Sequence, residues 1–170
     1  MLLLGIDIGT SSIKVAIIES ASQKCLVAVQ YPEMECPIIS HHPGWAEQSP
    51  EEWWNNVQQA ILKAHATKTY NPKDISAIGI AYQMHGLVIV DKDQKVLRDA
   101  IIWCDSRAVE IGNKAFDKIG AEKSLSHLLN SPGNFTASKL AWVKENEPEI
   151  YQRINNKEGY NWLIKNKKTV

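Results

Sequence analysis

The run from Leu2 to Ile8 is apolar apart from Gly5 and Asp7, and it breaks at Gly9-Thr10-Ser11-Ser12 before a second apolar run, Ile13 to Ile18. A run this short, ended by a glycine-and-hydroxyl turn and followed by a β-branched stretch, predicts a buried strand folding back into a second one. Gln23-Lys24 marks another turn, and Cys25 to Tyr31 reads as a third strand. The chain therefore opens as an antiparallel meander.

Pro37 to Gly44 reads as a loop. Ser49-Pro50-Glu51-Glu52 then carries a helix start: a serine cap, proline in the first turn and acids beside the helix N-terminus. The helix is expected to run to about Thr67, with Trp54, Val57, Ile61, Leu62 and Trp53 on its apolar face. Strands are expected at Ile75 to Ala81, Leu87 to Val90 and Ala100 to Trp103, with a hairpin turn at Asp91 to Gln94. Helices follow at Arg107 to Ile119, Ala121 to Leu129 and Thr136 to Asn146, the last with Thr136 as cap and Leu140, Trp142 and Val143 as apolar positions. Glu147-Pro148-Glu149 starts a final helical turn. Meander, helix, strand, hairpin and helices make a mixed α/β layer structure.

Composition narrows the function. Lysine plus arginine equals aspartate plus glutamate at 19 each, so a basic nucleic-acid footprint is absent and no nucleic-acid partner is expected. No apolar run reaches the roughly 18 residues of a membrane span, and Asp7 interrupts the N-terminal run too early for a secretory leader. No membrane partner is expected, and the reading is cytoplasmic. Cys25, Cys36 and Cys104, odd in number and widely spaced, suit a reducing compartment. His41 and His42 have no neighbours at metal-ligand spacing and read as loop residues. The six tryptophans read mainly as packing, not as a sugar-stacking platform.

Chemistry concentrates in Gly5-Ile6-Asp7-Ile8-Gly9-Thr10-Ser11-Ser12-Ile13-Lys14. Asp7, near the end of a buried strand, is held rigidly at the sheet's edge and can hold a hydrated Mg²⁺ through water. Gly9 lets backbone approach a ligand, and Thr10, Ser11 and Ser12 surround a turn whose N–H groups suit phosphate oxygens. Lys14 adds positive charge where phosphoryl transfer needs it. The competing reading is an ordinary hairpin with a polar tip. The motif differs from a Walker loop, whose lysine adjoins Ser/Thr at a helix start, because this turn joins two strands. A second group is dispersed: Gly44-Trp45-Ala46-Glu47-Gln48, Gln83-Met84-His85-Gly86, and Trp103-Cys104-Asp105-Ser106-Arg107. Met84 and His85 end a strand beside Gly86 and offer a sugar one apolar and one hydrogen-bonding group. Asp105 and Arg107 either pair to fix a pocket wall or mark a helix start with Asp105 as cap.

The first string resembles the first phosphate loop of the actin-like ATPase (ribonuclease H-like) fold. The dispersed strings, with Asn134-Phe135-Thr136 through Tyr151, are similar in order to those of the FGGY carbohydrate kinases, and Gln-Met-His-Gly resembles the xylulokinases among them. The resemblance covers about residues 2 to 154 and implies an incomplete domain: a mixed sheet with an antiparallel meander and flanking helices. It implies ATP and Mg²⁺ as cofactors bound through Asp7, Gly9, Thr10, Ser11, Ser12 and Lys14. It further implies D-xylulose contacted by Met84 and His85, with Gln83, Trp103, Asp105 and Arg107 along the pocket wall. The reaction implied is transfer of the ATP γ-phosphate to D-xylulose. Alternatives are another ketose or polyol (ribulose, gluconate, glycerol) or a non-catalytic sugar-binding remnant. In this family an aspartate deprotonates the attacking hydroxyl, and it is expected beyond the last residue of this chain, so no catalytic residue is assigned within it. Residues 1–154 are read as the N-terminal part of the kinase's first domain and 155–170 as a tail that departs from the family. The chain alone is expected to be inactive, and sheet edges left without partners invite self-association.

Overall fold

In chain order the elements are β1 (Leu2–Ile8), β2 (Ile13–Glu19), β3 (Lys24–Tyr31), β4 (Glu47–Gln48), α1 (Pro50–Ala66), β5 (Ile75–Tyr82), β6 (Ala100–Ile101), α2 (Val109–Ile119), α3 (Ala121–Leu128), α4 (Thr136–Asn146) and α5 (Pro148–Arg153). The computed structural model describes residues 1–154. The tail assigned to 155–170 lies outside the described residues. Two units divide the chain: Met1–Ile38 with Ser49–Met84, and Ile39–Gln48 with His85–Val170.

In the first unit the expected meander forms a sheet of order β3-β2-β1-β5, in which β5 runs parallel to β1 and the other pairs are antiparallel. A parallel neighbour requires a crossover, and α1 lies in it. Alternation along the strands puts Leu2, Leu4, Ile6, Ile13, Val15, Ile17 and Val27 on one buried face, packed with Val57, Ala60 and Ala64 of α1. Each fully buried aliphatic side chain contributes about 1.5–3 kcal/mol. Ser49 caps α1 by accepting from the Glu52 N–H at 3.3 Å, as the sequence predicts. The predicted apolar face of α1 is corrected at two positions: Trp54 and Leu62 are 64% and 58% exposed. The buried stripe is centred on Ala60 and Ala64, both fully buried, and the larger residues fall to its flanks. Register continues that apolar face onto β5, pairing Leu4 with Ile78, Ile6 with Ile80 and Ile8 with Tyr82, yet those three β5 side chains are exposed.

In the second unit β4 pairs antiparallel with β6, Glu47 opposite Ile101. The strand expected at Leu87 to Val90 is reduced to isolated bridges, Leu87 with Ile101 and Val90 with Val96, around the predicted turn at Asp91. Leu87, Ile89, Ile101 and Val143 form the core, flanked by Leu140 and Trp142. Helix α2 starts at Val109 instead of Arg107, because the Arg107 N–H donates to Asp105 Oδ1 in a local turn. Thr136 does not cap α4. Phe135 holds that position, and the Thr136 hydroxyl donates to the Gly86 carbonyl at 3.3 Å.

Candidate functional site

Within the first unit, β1 and β2 end in register at Ile8 and Ile13, leaving residues 9–12 as the connecting loop. Asp7 sits directly across from Lys14 on β2 and from Ala81 on β5. Both Asp7 and Lys14 are exposed at this end of the sheet, and the Lys14 ammonium donates to the Ser12 carbonyl at 3.3 Å. Gln83 follows β5, and its N–H donates to the Ile8 carbonyl at 3.2 Å. Its side-chain oxygen accepts from the Thr10 hydroxyl at 3.3 Å. The predicted group Asp7, Gly9, Thr10, Ser11, Ser12 and Lys14 is thus brought together, and Gln83, expected on a sugar-pocket wall, joins it.

Behind the loop lies a support that the sequence reading missed. Asn56, buried on α1, donates to the Cys36 sulfur at 3.4 Å, and the Cys36 N–H donates to the Ser11 carbonyl at 2.8 Å. Burial pushes the Cys36 thiol up from its ordinary range, with Glu52 adding to the effect, so this cysteine is a neutral packing group. Asn56 carried a faint signal: a polar residue on the same helical turn as the buried Val57 and Ala60.

Two observations test whether a phosphate group fits the loop. The Gln83 amide nitrogen is buried with no hydrogen-bond partner among the described residues, a donor beside Thr10 awaiting an acceptor. A Cβ at Gly9 would lie 3.0 Å from the Ser12 carbonyl oxygen and 3.1 Å from Lys14 Nζ, so the loop is drawn tightly around this position. Both suit a nest that takes oxygens at close range. Asp7 makes no ion pair with another described residue, which leaves its carboxylate available to a hydrated cation.

The second unit resumes at His85, which has φ 63°, a left-handed conformation. For a non-glycine residue that costs roughly 1–2 kcal/mol, and the next residue, Gly86, does not take it. The imidazole stacks on Phe135, with ring centroids 4.9 Å apart and 17° between planes. The His85 carbonyl accepts from Lys139 Nζ at 2.9 Å, and the same ammonium donates to the Asn134 carbonyl at 2.9 Å. Lys139 is fully buried. Burial pulls its ammonium down from the ordinary lysine range, Asp105 pulling it back up. Met84, the last residue of the first unit, is 68% exposed, and Trp103 is 49% exposed.

Asp105 and Arg107 do pair, and the pair lies inside the unit. Arg107 Nη2 is 2.7 Å from Asp105 Oδ2 and 2.6 Å from Glu47 Oε1. Arg98 bonds the same Glu47 oxygen and also Glu147. Asp105 additionally accepts from the Ala46 N–H at 2.6 Å. The Arg107 guanidinium lies 3.9 Å from the ring centre of Trp45 and 4.9 Å from that of Trp142. Side-chain exposure is 1% for Arg107 and 0% for Asp105. The alternative in which Asp105 caps a helix and Arg107 is solvated is therefore excluded. These two residues set the shape of what surrounds them from inside. Glu47, Arg98 and Glu147, missed in the sequence, complete the cluster; buried charges paired over long sequence distances leave no periodic mark.

Comparisons with known proteins give the family and the fold. The sequence profile of the FGGY family of carbohydrate kinases, N-terminal domain, matches residues 2–167. The xylulose kinase of Escherichia coli strain K12 is 38% identical over 152 residues, covering 89% of this chain and 30% of that protein. Among solved structures, one described as a xyloylose kinase from Brucella ovis superposes with a TM-score of 0.81 at 33% identity, covering 91% of this chain and 31% of the other. Gluconate kinase from Lactobacillus acidophilus gives a TM-score of 0.75 at 25% identity, covering 90% and 30%. The chain spans about a third of the length of the relatives it matches. It has the partial mixed sheet and flanking helices of the actin-like ATPase fold, and it belongs to the FGGY family of carbohydrate kinases, over that family's N-terminal domain.

Proposed function

We propose that this chain supplies the phosphate loop and part of the sugar site of an ATP-dependent D-xylulose kinase. The observation that carries the phosphate side is the convergence of Asp7, Gly9 to Ser12, Lys14 and the Gln83 amide nitrogen, without a partner among the described residues, at one end of the sheet. In this reading Asp7 would hold a hydrated Mg²⁺, and the loop N–H groups, Gln83 and Lys14 would receive phosphate oxygens. When bound, Mg²⁺–ATP supplies an electrophilic γ-phosphoryl group. Met84 and His85 hold the sugar, the thioether against carbon and the imidazole on a hydroxyl. Asp105 and Arg107 keep the surrounding backbone in place from within. D-Xylulose is favoured by the Gln83-Met84-His85-Gly86 string and by the names of the relatives at 38% and 33% identity. The gluconate kinase at 25% identity makes an anionic sugar the second reading.

Calorimetric titration of the purified chain with D-xylulose, D-ribulose, gluconate and glycerol tests the substrate. Saturable heat with D-xylulose alone supports the proposal, and a preference for gluconate moves it to the second reading. Turnover by these 170 residues alone is not expected, because they span about 30% of the relatives' length and the hydroxyl-deprotonating aspartate is assigned elsewhere. Mg²⁺-dependent phosphorylation of D-xylulose by the purified chain would contradict that. A cytoplasmic location is part of the same proposal; no described helix is long and apolar enough to cross a membrane. Self-association is proposed through β5, where Ile78, Ile80 and Tyr82 are exposed in a row.

A further inference from the structure

We infer that Lys139, acting with Phe135, is a positioning residue for His85: it holds the histidine in a backbone conformation that it would not keep on its own, and so fixes where the imidazole meets an uncharged sugar. The inference rests on the reading of His85 as a sugar contact.

The turn at His85 presents a conflict between side chain and backbone. A left-handed φ of 63° is natural to glycine, yet the position holds an imidazole while glycine stands one residue later. Such a conformation persists only when its surroundings over-determine it. Here those surroundings are identifiable. The Lys139 ammonium clamps the His85 carbonyl at 2.9 Å and ties it to the Asn134 carbonyl, also at 2.9 Å. Phe135, next in the chain after Asn134, lies flat against the imidazole. The Thr136 hydroxyl takes the following carbonyl, that of Gly86. Two consecutive residues at the start of α4, Phe135 and Thr136, together with Lys139 one turn on, thus hold the ring and backbone of one turn.

The clamp is built to hold, not to touch ligand. Lys139 is fully buried, and two of its three donors are engaged by carbonyls. A solvated surface lysine would be the cheaper choice at any helix position, since burying an ammonium is costly unless it is hydrogen-bonded. Its burial leaves the half-buried imidazole of His85 as the polar side chain of this turn that can meet a ligand.

The test uses the 170-residue chain, isotope-labelled, and reads the His85 ring protons by NMR together with D-xylulose affinity by calorimetry. In the wild type, stacking on Phe135 shifts the His85 ring protons upfield from free histidine. Lys139→Met and Phe135→Leu each move them back toward free-histidine positions and weaken D-xylulose at least tenfold, whereas Lys139→Arg retains part of the shift and of the affinity. Leu140→Ala, which loosens the same helix without touching the turn, leaves the ring shifts in place. The proposal is overturned if the wild-type ring protons already sit at free-histidine positions, or if they stay unmoved in both Lys139→Met and Phe135→Leu. Should the wild-type chain bind no D-xylulose while its ring shifts respond as described, the positioning role stands and the sugar reading fails.

Discussion

The two units put their charges in opposite places. In the first, an aliphatic core of β1, β2, β3 and α1 carries its ionic groups outward, with Asp7 and Lys14 exposed at the end of the sheet and Ser12 of the loop buried. In the second, the side chains of Glu47, Asp105, Arg98, Arg107 and Lys139 are buried, and the Arg107 guanidinium lies against two tryptophan rings set nearly at right angles to each other. The first arrangement separates stability from chemistry: the polar loop can change without loss of the core. The second joins them. A buried ion cluster fixes backbone positions sharply, but the loss of any one member leaves an uncompensated charge in a poorly solvated interior.

The largest effect follows from that contrast. Arg107→Met strands Asp105, leaves Glu47 with Arg98 alone, and is expected to destabilise the second unit by about 3–5 kcal/mol, measured by urea denaturation. A loss under 1 kcal/mol would break the distinction between the units. His85→Gly sharpens it differently. Relief of the left-handed backbone is expected to hold or raise stability, by about 1 kcal/mol, while D-xylulose binding is lost. Unchanged affinity in that variant would remove His85 from the sugar site.

Asp7→Asn belongs to the first unit, so its expected effect on stability is within about 0.5 kcal/mol, although Mg²⁺-dependent nucleotide binding falls at least tenfold. A strongly destabilised variant would mean that the loop is part of the core after all. The smallest effect is at Asp91, whose carboxylate accepts from the Lys95 and Asp93 N–H groups at 2.9 Å each. Those bonds, Lys95 first, hold its carboxyl below the ordinary range. Its folded value is depressed, so the stabilisation is full above the unfolded carboxyl value of about 3.9 and is lost as pH falls through the folded value. Carboxyl NMR titration against Asp91→Asn checks the direction; a midpoint above the unfolded value would contradict it.

How much was legible in the sequence follows the same division. β1, β2, β3 and α1 are read within a residue or two, because each is written locally: alternation of apolar residues, a turn, a serine cap before proline. The loop proposed to take phosphate is written locally for the same reason, since its six residues fall within the eight from Asp7 to Lys14. Trp54 and Leu62 mislead because size suggests burial, and the helix instead approaches the sheet through Ala60 and Ala64. In the second unit the Leu87 to Val90 strand dissolves into bridges, and the cluster joining residues 47, 98, 105, 107 and 147 depends on contacts that no local pattern encodes. Lys139 sits four residues before the buried Val143, on the face that periodicity marks as apolar, but its charge argues for solvent.

The central claim is that phosphate chemistry lies in the loop of the first unit and sugar recognition at the turn that follows β5. Backbone NMR of the labelled chain, titrated separately with D-xylulose and with Mg²⁺ plus a non-hydrolysable ATP analogue, tests it directly. The account predicts that the nucleotide shifts resonances from Asp7 to Lys14 and at Gln83, and that the sugar shifts Met84, His85 and Gly86. Sugar-induced shifts confined to the loop, or nucleotide shifts confined to the His85 turn, would contradict it.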